Sequence, residues 1–350
     1  MSVTPLRSII MSGGQGDAVM AANGLHALLQ LAPSILAADA TAYTRSIATP
    51  IIAALLPELR ATSIEQSHGT AHPRYYTSAG SSGSTLLRNW FGADYYVNFA
   101  VPRRMASRGY APADWLTRGF EKLNEWKLFG SHDWRRVSPA YYGLRMWTPV
   151  AAALGFNAVD LFRGLYQSLP VLRARLLAHA AAQPVTIRPL RVAIFPLGKA
   201  YQTMPPEFVA ALVDGLDSTE YACYFAPDEP AMGRYQAQGL HCEITADVNA
   251  VLHAVTASEV VATVDSFVSH LAQIGARRHV AFMSHDLPEH TLHPAAASQR
   301  VFTPMPCVPC NYSLRENHNL CADGRPACGV YSDAAYLAHG RALLHTGPSP

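Results

Sequence analysis

EVVATVDSFVSHLAQIGARRHVAFMS, residues 259–284, decides the fold class of this chain. It opens on a β-branched apolar run of strand length that ends at Asp265. A serine and a helix-like pattern follow, with His270 inside its first turns, and a second apolar run, HVAFMS, closes the stretch. Apolar runs of four to eight residues separated by a helical period read as strand, helix, strand. Such a unit implies a right-handed crossover between parallel strands. It also delivers an acid and an imidazole to one edge of a sheet.

The same alternation extends upstream of these residues. RVAIFPL reads as a strand, PPEFVAALVDGL as a helix with proline in its first turn, and YACYFA as the next strand. EPAMGRYQAQG, HCEIT and DVNAVLHAVTA continue as helix, strand and helix. The N-terminal half begins in the same way. LRSIIMS is a strand, GGQGD a turn, and AVMAANGLHALLQLAP a helix whose Val19, Ala22, Leu25, Leu28 and Leu29 recur at spacings that suit one buried face. ILAADA and ADYYVNFAV read as further strands and TRSIATPIIAALLPEL as a helix. Residues 65–90, containing SAGSSGS, read as an exposed, mobile loop, and 103–147, rich in Arg, Trp and Tyr, shows no clear pattern. LLAHAAAQPVTIRPL, with two prolines and no clear period, marks a boundary near 180–190. The expectation is an α/β protein of two Rossmann-like domains, 1–185 and 186–350, the second closing on a C-terminal helix.

A length of 350 residues favours two domains, because single cores stop growing at roughly 250–300 residues. Hydrophobic residues make up 49%, charged residues 15%, and the net charge is +2, which gives no support to a polyanion-binding surface. Nucleic acid is therefore not expected as a partner. No apolar run reaches the roughly 20 residues that cross a bilayer. MSVTPLRSIIMSGGQGD lacks the apolar core and cleavage site of a signal peptide, so a cytoplasmic protein is expected, with peripheral contact at the inner face of the membrane left open. Three lysines, Lys122, Lys127 and Lys199, stand among 27 basic residues, which draws attention to Lys199.

Ligands of open parallel sheets bind beyond the carboxyl ends of the strands, where helix N-termini present N–H groups. GGQGD, residues 13–17, and DSFVSH, residues 265–270, both fall at such junctions. Gly13, Gly14 and Gly16 let backbone approach a substrate closely. The motif is neither GxGxxG nor a P-loop, and its bland reading is a tight turn capped by Asp17. In DSFVSH, Ser266 and the free N–H groups suit phosphate oxygens and His270 suits a phosphate or a sugar. The alternative is that Asp265 or Ser266 simply caps the helix. Lys199, in PLGKAYQTMPPE, is placed to neutralise a diphosphate, or else is an exposed loop lysine. Cys307, Cys310, Cys321 and Cys328 follow the pattern C-x2-C-x10-C-x6-C. Four thiolates can close a tetrahedral shell around a structural ion, zinc by default and iron as the alternative, with free thiols as the bland reading. His318 could replace one thiolate. Cys223 and Cys242 lie singly in core-like surroundings.

In order, these pieces resemble the ADP-heptose-dependent heptosyltransferase family of inverting glycosyltransferases. SGGQGDAVMAANGLHALLQLAP is similar to the family's opening and PPEFVAALVDGL to the first helix of its C-terminal domain. DVNAVLHAVTASEVVATVDSFVSHLAQIGARRHVAFM resembles its donor segment, built around D[ST]GxxH. The cysteine cluster is similar to ones in many members. The resemblance covers roughly 5–35 and 190–310 and is thin between 55 and 180. It implies a GT-B architecture, two Rossmann-like domains with parallel sheets facing across a cleft. It further implies Asp17 as general base, with Asp265, Ser266, Phe267, Ser269 and His270 around the nucleotide diphosphate and sugar. Gly14 and Gly16 would lie against the substrate, and Glu229 near the nucleoside ribose. Two positions depart from the family. Phe267 stands where it has glycine, and its phosphate lysine is replaced by Gln202 or Thr203, so that Lys199 or Thr203 would serve instead.

The activity implied is transfer of a sugar, with heptose from ADP-heptose as first choice, to a hydroxyl of a saccharide, a lipopolysaccharide or a protein, without a catalytic metal. A non-catalytic GT-B scaffold or nucleotide-binding protein that keeps a structural metal site is the main alternative. A sugar-nucleotide epimerase of similar sheet pattern is the other.

Overall fold

The computed structural model describes residues 5–11, 15–44, 46–63, 95–96, 140–147, 150–151, 154–184, 187–198, 202–305 and 327–346. The expected loop at 65–90 and most of the 103–147 stretch lie outside the described residues. The chain forms two compact units, Met1–Arg175 and Leu176–Pro350.

In the first unit β1 (Leu6–Ile10), β2 (Leu36–Thr44), β3 (Arg60–Ser63) and β4 (Tyr95–Tyr96) form a parallel sheet in the order β3-β2-β1-β4. Helix α1 (Gln15–Leu31) connects β1 to β2, and α2 (Thr49–Leu55) connects β2 to β3. Two details differ from the sequence reading. The helix expected over TRSIATPIIAALLPEL is confined to α2, because the chain must turn at Pro57 to reach β3, a strand not anticipated. Helix α1 also buries every residue from Ala18 to Leu29, not one face alone. The reason lies in 140–147, where a short helix α3 (Tyr142–Arg145) packs on the side expected to meet water. A Cβ at Gly24 would stand 1.9 Å from the Gly143 carbonyl oxygen, so only glycine lets these backbones meet. Trp147, fully buried, donates to the Ala21 carbonyl at 2.8 Å, and Asn23 donates to the Tyr141 hydroxyl at 3.3 Å.

A long helix α4 (Ala158–Ala182) follows, so the region read as a boundary is helical for its first residues. The second unit then runs as expected: β5 (Val192–Phe195), α5 (Pro206–Val213), β6 (Tyr221–Phe225), α6 (Met232–Ala237), β7 (Cys242–Ile244), α7 (Val248–Ala257), β8 (Val260–Val264), α8 (Phe267–Gly275) and β9 (His279–Met283). A short helix α9 (Pro288–Thr291) and strand β10 (Gln299–Phe302) were not anticipated, and α10 (Ala334–His345) is the expected C-terminal helix. All strands are parallel, in the order β10-β9-β8-β5-β6-β7. This is the doubly wound arrangement, in which the winding direction reverses between β5 and β8.

Helices on both faces explain why β5, β6, β8 and β9 are buried along their whole length. One face holds Phe208, Leu212, Phe282, Tyr331, Tyr336 and Leu344, with the Phe208 ring 5.9 Å from that of Phe282 and 5.1 Å from that of Tyr331. The other face packs Phe195 and Tyr224 against Val255 and Ala272. Cys223 and Cys242, read as isolated, are in register on neighbouring strands. Among the described residues no helix is long and apolar enough to cross a membrane.

Candidate active site

The reversal of winding leaves a crevice at the carboxyl ends of β5 and β8, the place where ligands of such sheets bind. Four segments of the second unit meet there: the loop after β5, the junction of β8 with α8, the start of α8, and the residues after β9. Asp265 is the first residue beyond β8. Its Oδ1 lies 3.8 Å from His270 Nε2, and its Oδ2 lies 3.3 Å from His285 Nε2. His270, expected from sequence, sits in the first turns of α8, and burial lowers its pKa to about 4, so its ring is neutral at neutral pH.

The tautomer of His270 follows from its neighbours. Gln273 Oε1 accepts from the backbone N–H of His293, and Gln273 Nε2 donates to the Thr291 carbonyl at 3.4 Å. Both ends of the amide are therefore fixed by backbone groups. The same Nε2 lies 3.4 Å from His270 Nδ1, which must accept. The ring proton of His270 is consequently on Nε2, the nitrogen turned towards Asp265.

Ser266 occupies the N-cap position of α8 with extended backbone, yet its hydroxyl makes no capping bond. Ser266 Oγ and Ser269 Oγ are both buried without a hydrogen-bond partner among the described residues. Capping therefore does not account for Ser266, and a ligand with acceptor or donor oxygens would satisfy it. Phe267 is the first residue of α8 and is half-buried.

The loop after β5 is closed on itself. Thr203 Oγ1 accepts from the Gly198 N–H at 3.2 Å and donates to the Gly198 carbonyl at 3.3 Å. A Cβ at Gly198 would come within 2.9 Å of Gln202 Cβ and 3.1 Å of Val264 Cγ2, so glycine is required where this loop crosses the end of β8. Lys199, within the loop, lies outside the described residues. Glu229, after β6, accepts from the Ala231 N–H at 3.0 Å, which orders the turn into α6, and Asp228 beside it adopts φ 57°. Asp286 forms a 2.7 Å bond with His290 and accepts from the Leu287 N–H at 2.7 Å. Burial alone would raise its pKa, but these bonds and the charges of His285 and His290 hold it below the usual carboxylate range.

In the first unit Asp17 is the third residue of α1, inside the first turn and not at its cap, and it is half-buried. Gly16 precedes it in the same turn, and Gly14 lies outside the described residues. Of the cysteine cluster, Cys307, Cys310 and Cys321 lie outside the described residues. Cys328 is buried, with its Sγ 3.4 Å from the Ser284 carbonyl oxygen. Among the described residues no group of three or more His, Cys, Asp or Glu could hold a metal ion.

Sequence reasoning missed His285 and gave Gln202 no role beyond occupying the place of a lysine. Both are buried at this edge. The available signal was the run SHDLPEH, which begins where the strand HVAFM stops and so must fall on the carboxyl edge.

No protein-family model and no curated protein sequence matches the chain. Solved structures do. The Escherichia coli ADP-heptose lipopolysaccharide heptosyltransferase II is similar with a TM-score of 0.55 and 15% identity, over 96% of this chain and 97% of that one. A family 9 glycosyltransferase from Veillonella parvula gives 0.52 and 14%, over 87% and 90%. The dodecameric iron-containing heptosyltransferase TibC, solved with ADP-D-β-D-heptose, gives 0.54 and 14%, over 98% of this chain and 78% of that one. The two parallel α/β units expected from the resemblance are found, and this chain shares the two-sheet parallel α/β architecture of these bacterial glycosyltransferases.

Proposed function

We propose that the protein is an inverting glycosyltransferase that moves a sugar from a nucleotide-sugar donor, ADP-heptose as first choice, to an acceptor hydroxyl on a saccharide, a lipopolysaccharide or a protein. The observation that carries this reading is the convergence of Asp265, Ser266, Ser269 and His270 at the winding reversal of the second unit, with two hydroxyls at the start of α8 that have no partner among the described residues. Likeness of fold to solved heptosyltransferases supports the same assignment.

In this reading Ser266 and the first N–H groups of α8 hold the diphosphate, whose charge grows as the glycosidic bond breaks. Lys199 and Thr203 act from the loop after β5, Glu229 near the ribose, and Phe267 limits the space beside the sugar. Asp17 takes the proton of the acceptor hydroxyl as it attacks the anomeric carbon, with Gly14 and Gly16 lining its turn. General-base assistance of this kind supplies on the order of 10²–10⁴-fold. The neutral His270 donates through Nε2 to an oxygen of the donor. A cytoplasmic location, in contact with the inner membrane face for a lipid-linked acceptor, accompanies this reading.

The test is transfer from ADP-heptose by purified protein. Asp17→Asn should lower kcat by about 10²-fold or more while ADP affinity stays within about twofold. A wild-type protein that neither binds ADP nor turns over nucleotide sugars would instead favour a non-catalytic scaffold. Cys307, Cys310, Cys321 and Cys328 are proposed to hold a structural zinc or iron ion, and TibC is an iron-containing protein of similar fold. Metal analysis of the same preparation should find about one ion per chain, and none after the four cysteines are replaced by serine.

A further inference from the structure

We infer that His285 is a positioning residue of the donor site, one that works with Gln202 to fix the Asp265 carboxylate on vicinal hydroxyls of the donor. This inference rests on the donor-site reading above and adds residues that the resemblance does not assign. The geometry is that of a buried chain of polar groups across the carboxyl edge. His285 Nε2 lies 3.3 Å from Asp265 Oδ2, and the Gln202 side-chain amide lies 2.8 Å from the same nitrogen. On the other side of the carboxylate, His270 is held in turn by Gln273. A single carboxylate is thus bracketed by two imidazoles, each backed by a glutamine.

Both new members are themselves anchored. The Gln202 backbone carbonyl accepts from the Tyr331 hydroxyl, and Asp286, one residue after His285, is held by His290 at 2.7 Å. Three separate segments therefore set where Oδ2 points. One ring nitrogen cannot donate to the carboxylate and accept from the amide at once. The amide nitrogen also lies 3.2 Å from His285 Nδ1, which accepts from it, so the ring proton sits on Nε2 and is donated to Oδ2. In this arrangement the direction of the carboxylate depends on the imidazole. A carboxylate beside a diphosphate site repels phosphate and accepts from hydroxyls, so its partner on the donor is the ribose or the transferred sugar.

Titration calorimetry with ADP and with ADP-heptose, on variants whose melting curves remain cooperative, tests this. His285→Leu should weaken ADP-heptose binding about tenfold, the effect of losing one bond to a charged group. His285→Gln, which keeps an N–H at the reach of Nε2, should stay within about threefold of wild type. Gln202→Met gives a second variant, about threefold weaker, should His285→Leu fail to fold. The deciding measurement is the double-mutant cycle: in an Asp265→Asn background, His285→Leu should cost less than about twofold. Loss with both ligands assigns the ribose hydroxyls, and loss with ADP-heptose alone assigns the sugar. Additive effects in a wild-type protein that does bind overturn this inference and leave the donor-site reading standing. A wild-type protein that binds neither ligand overturns both.

Discussion

Asp265 shows how little of a site a single residue defines. Its carboxylate is placed by the end of β8, but the groups gathered around it come from α8, from the loop after β5 and from the turn after β9. Ser266 makes the opposite case. It stands at a helix start, yet its hydroxyl has no partner among the described residues. Ser266→Ala should therefore change unfolding free energy by less than about 0.5 kcal/mol, the range of substitutions that break no contact. The same variant should weaken ADP binding several-fold, about 1 kcal/mol, when measured by calorimetry. A loss of stability without a loss of affinity would return Ser266 to an ordinary cap. Asp265, Ser266 and His270 were legible in the sequence because they fall together at one strand-to-helix junction. His285 was not, because its approach to Asp265 is a contact between residues twenty apart, just beyond the ends of neighbouring strands.

At the scale of elements, the second unit follows its hydrophobic pattern closely and the first does so less. Strands β5, β6, β8 and β9 are unbroken apolar runs because helices cover both faces of the sheet. Helix α7 carries its own start signal. Asp247 accepts from the Ala250 N–H at 2.8 Å, satisfying one of the donors left open at the helix end. Asp247→Ala should cost about 1 kcal/mol, read as a lower urea midpoint with an unchanged slope. Helix α1 defeats the same style of reading. Its apolar spacing suggested one buried face, whereas α3 and Trp147 cover the opposite side as well. Asn23 and His26 then lie within the protein, something a periodicity argument cannot foresee.

For the whole molecule, the buried histidines couple stability to pH. Burial lowers the pKa of His26 to about 4, helped by the Arg175 guanidinium, that of His270 and His293 to about 4, and that of His279 to about 3. Each folded value lies below the ordinary value near 6.5, so between about pH 6.5 and 4 the unfolded chain binds more protons than the folded one. Stability is therefore full above pH 6.5 and falls as pH drops through this window. The slope is at most about 1.4 kcal/mol per pH unit for each histidine that is charged only after unfolding. Urea unfolding at pH 7.5, 6 and 5 should show a steadily falling midpoint, and a flat profile would mean that these rings are protonated in the folded protein.

The sequence by itself determined the order of strands and helices from β5 to β9, the parallel class of both sheets and the strand-to-helix junctions at Asp17 and Asp265. These are consequences of period and chain direction, and both are local. Tertiary structure alone decided the strand order that puts the winding reversal between β5 and β8, the all-round burial of α1, and the meeting of Gln202, His270 and His285 around Asp265. The physical reason is that these depend on which surfaces pack together, and side chains far apart in the chain share a carboxylate only once the sheet has brought its strand ends side by side.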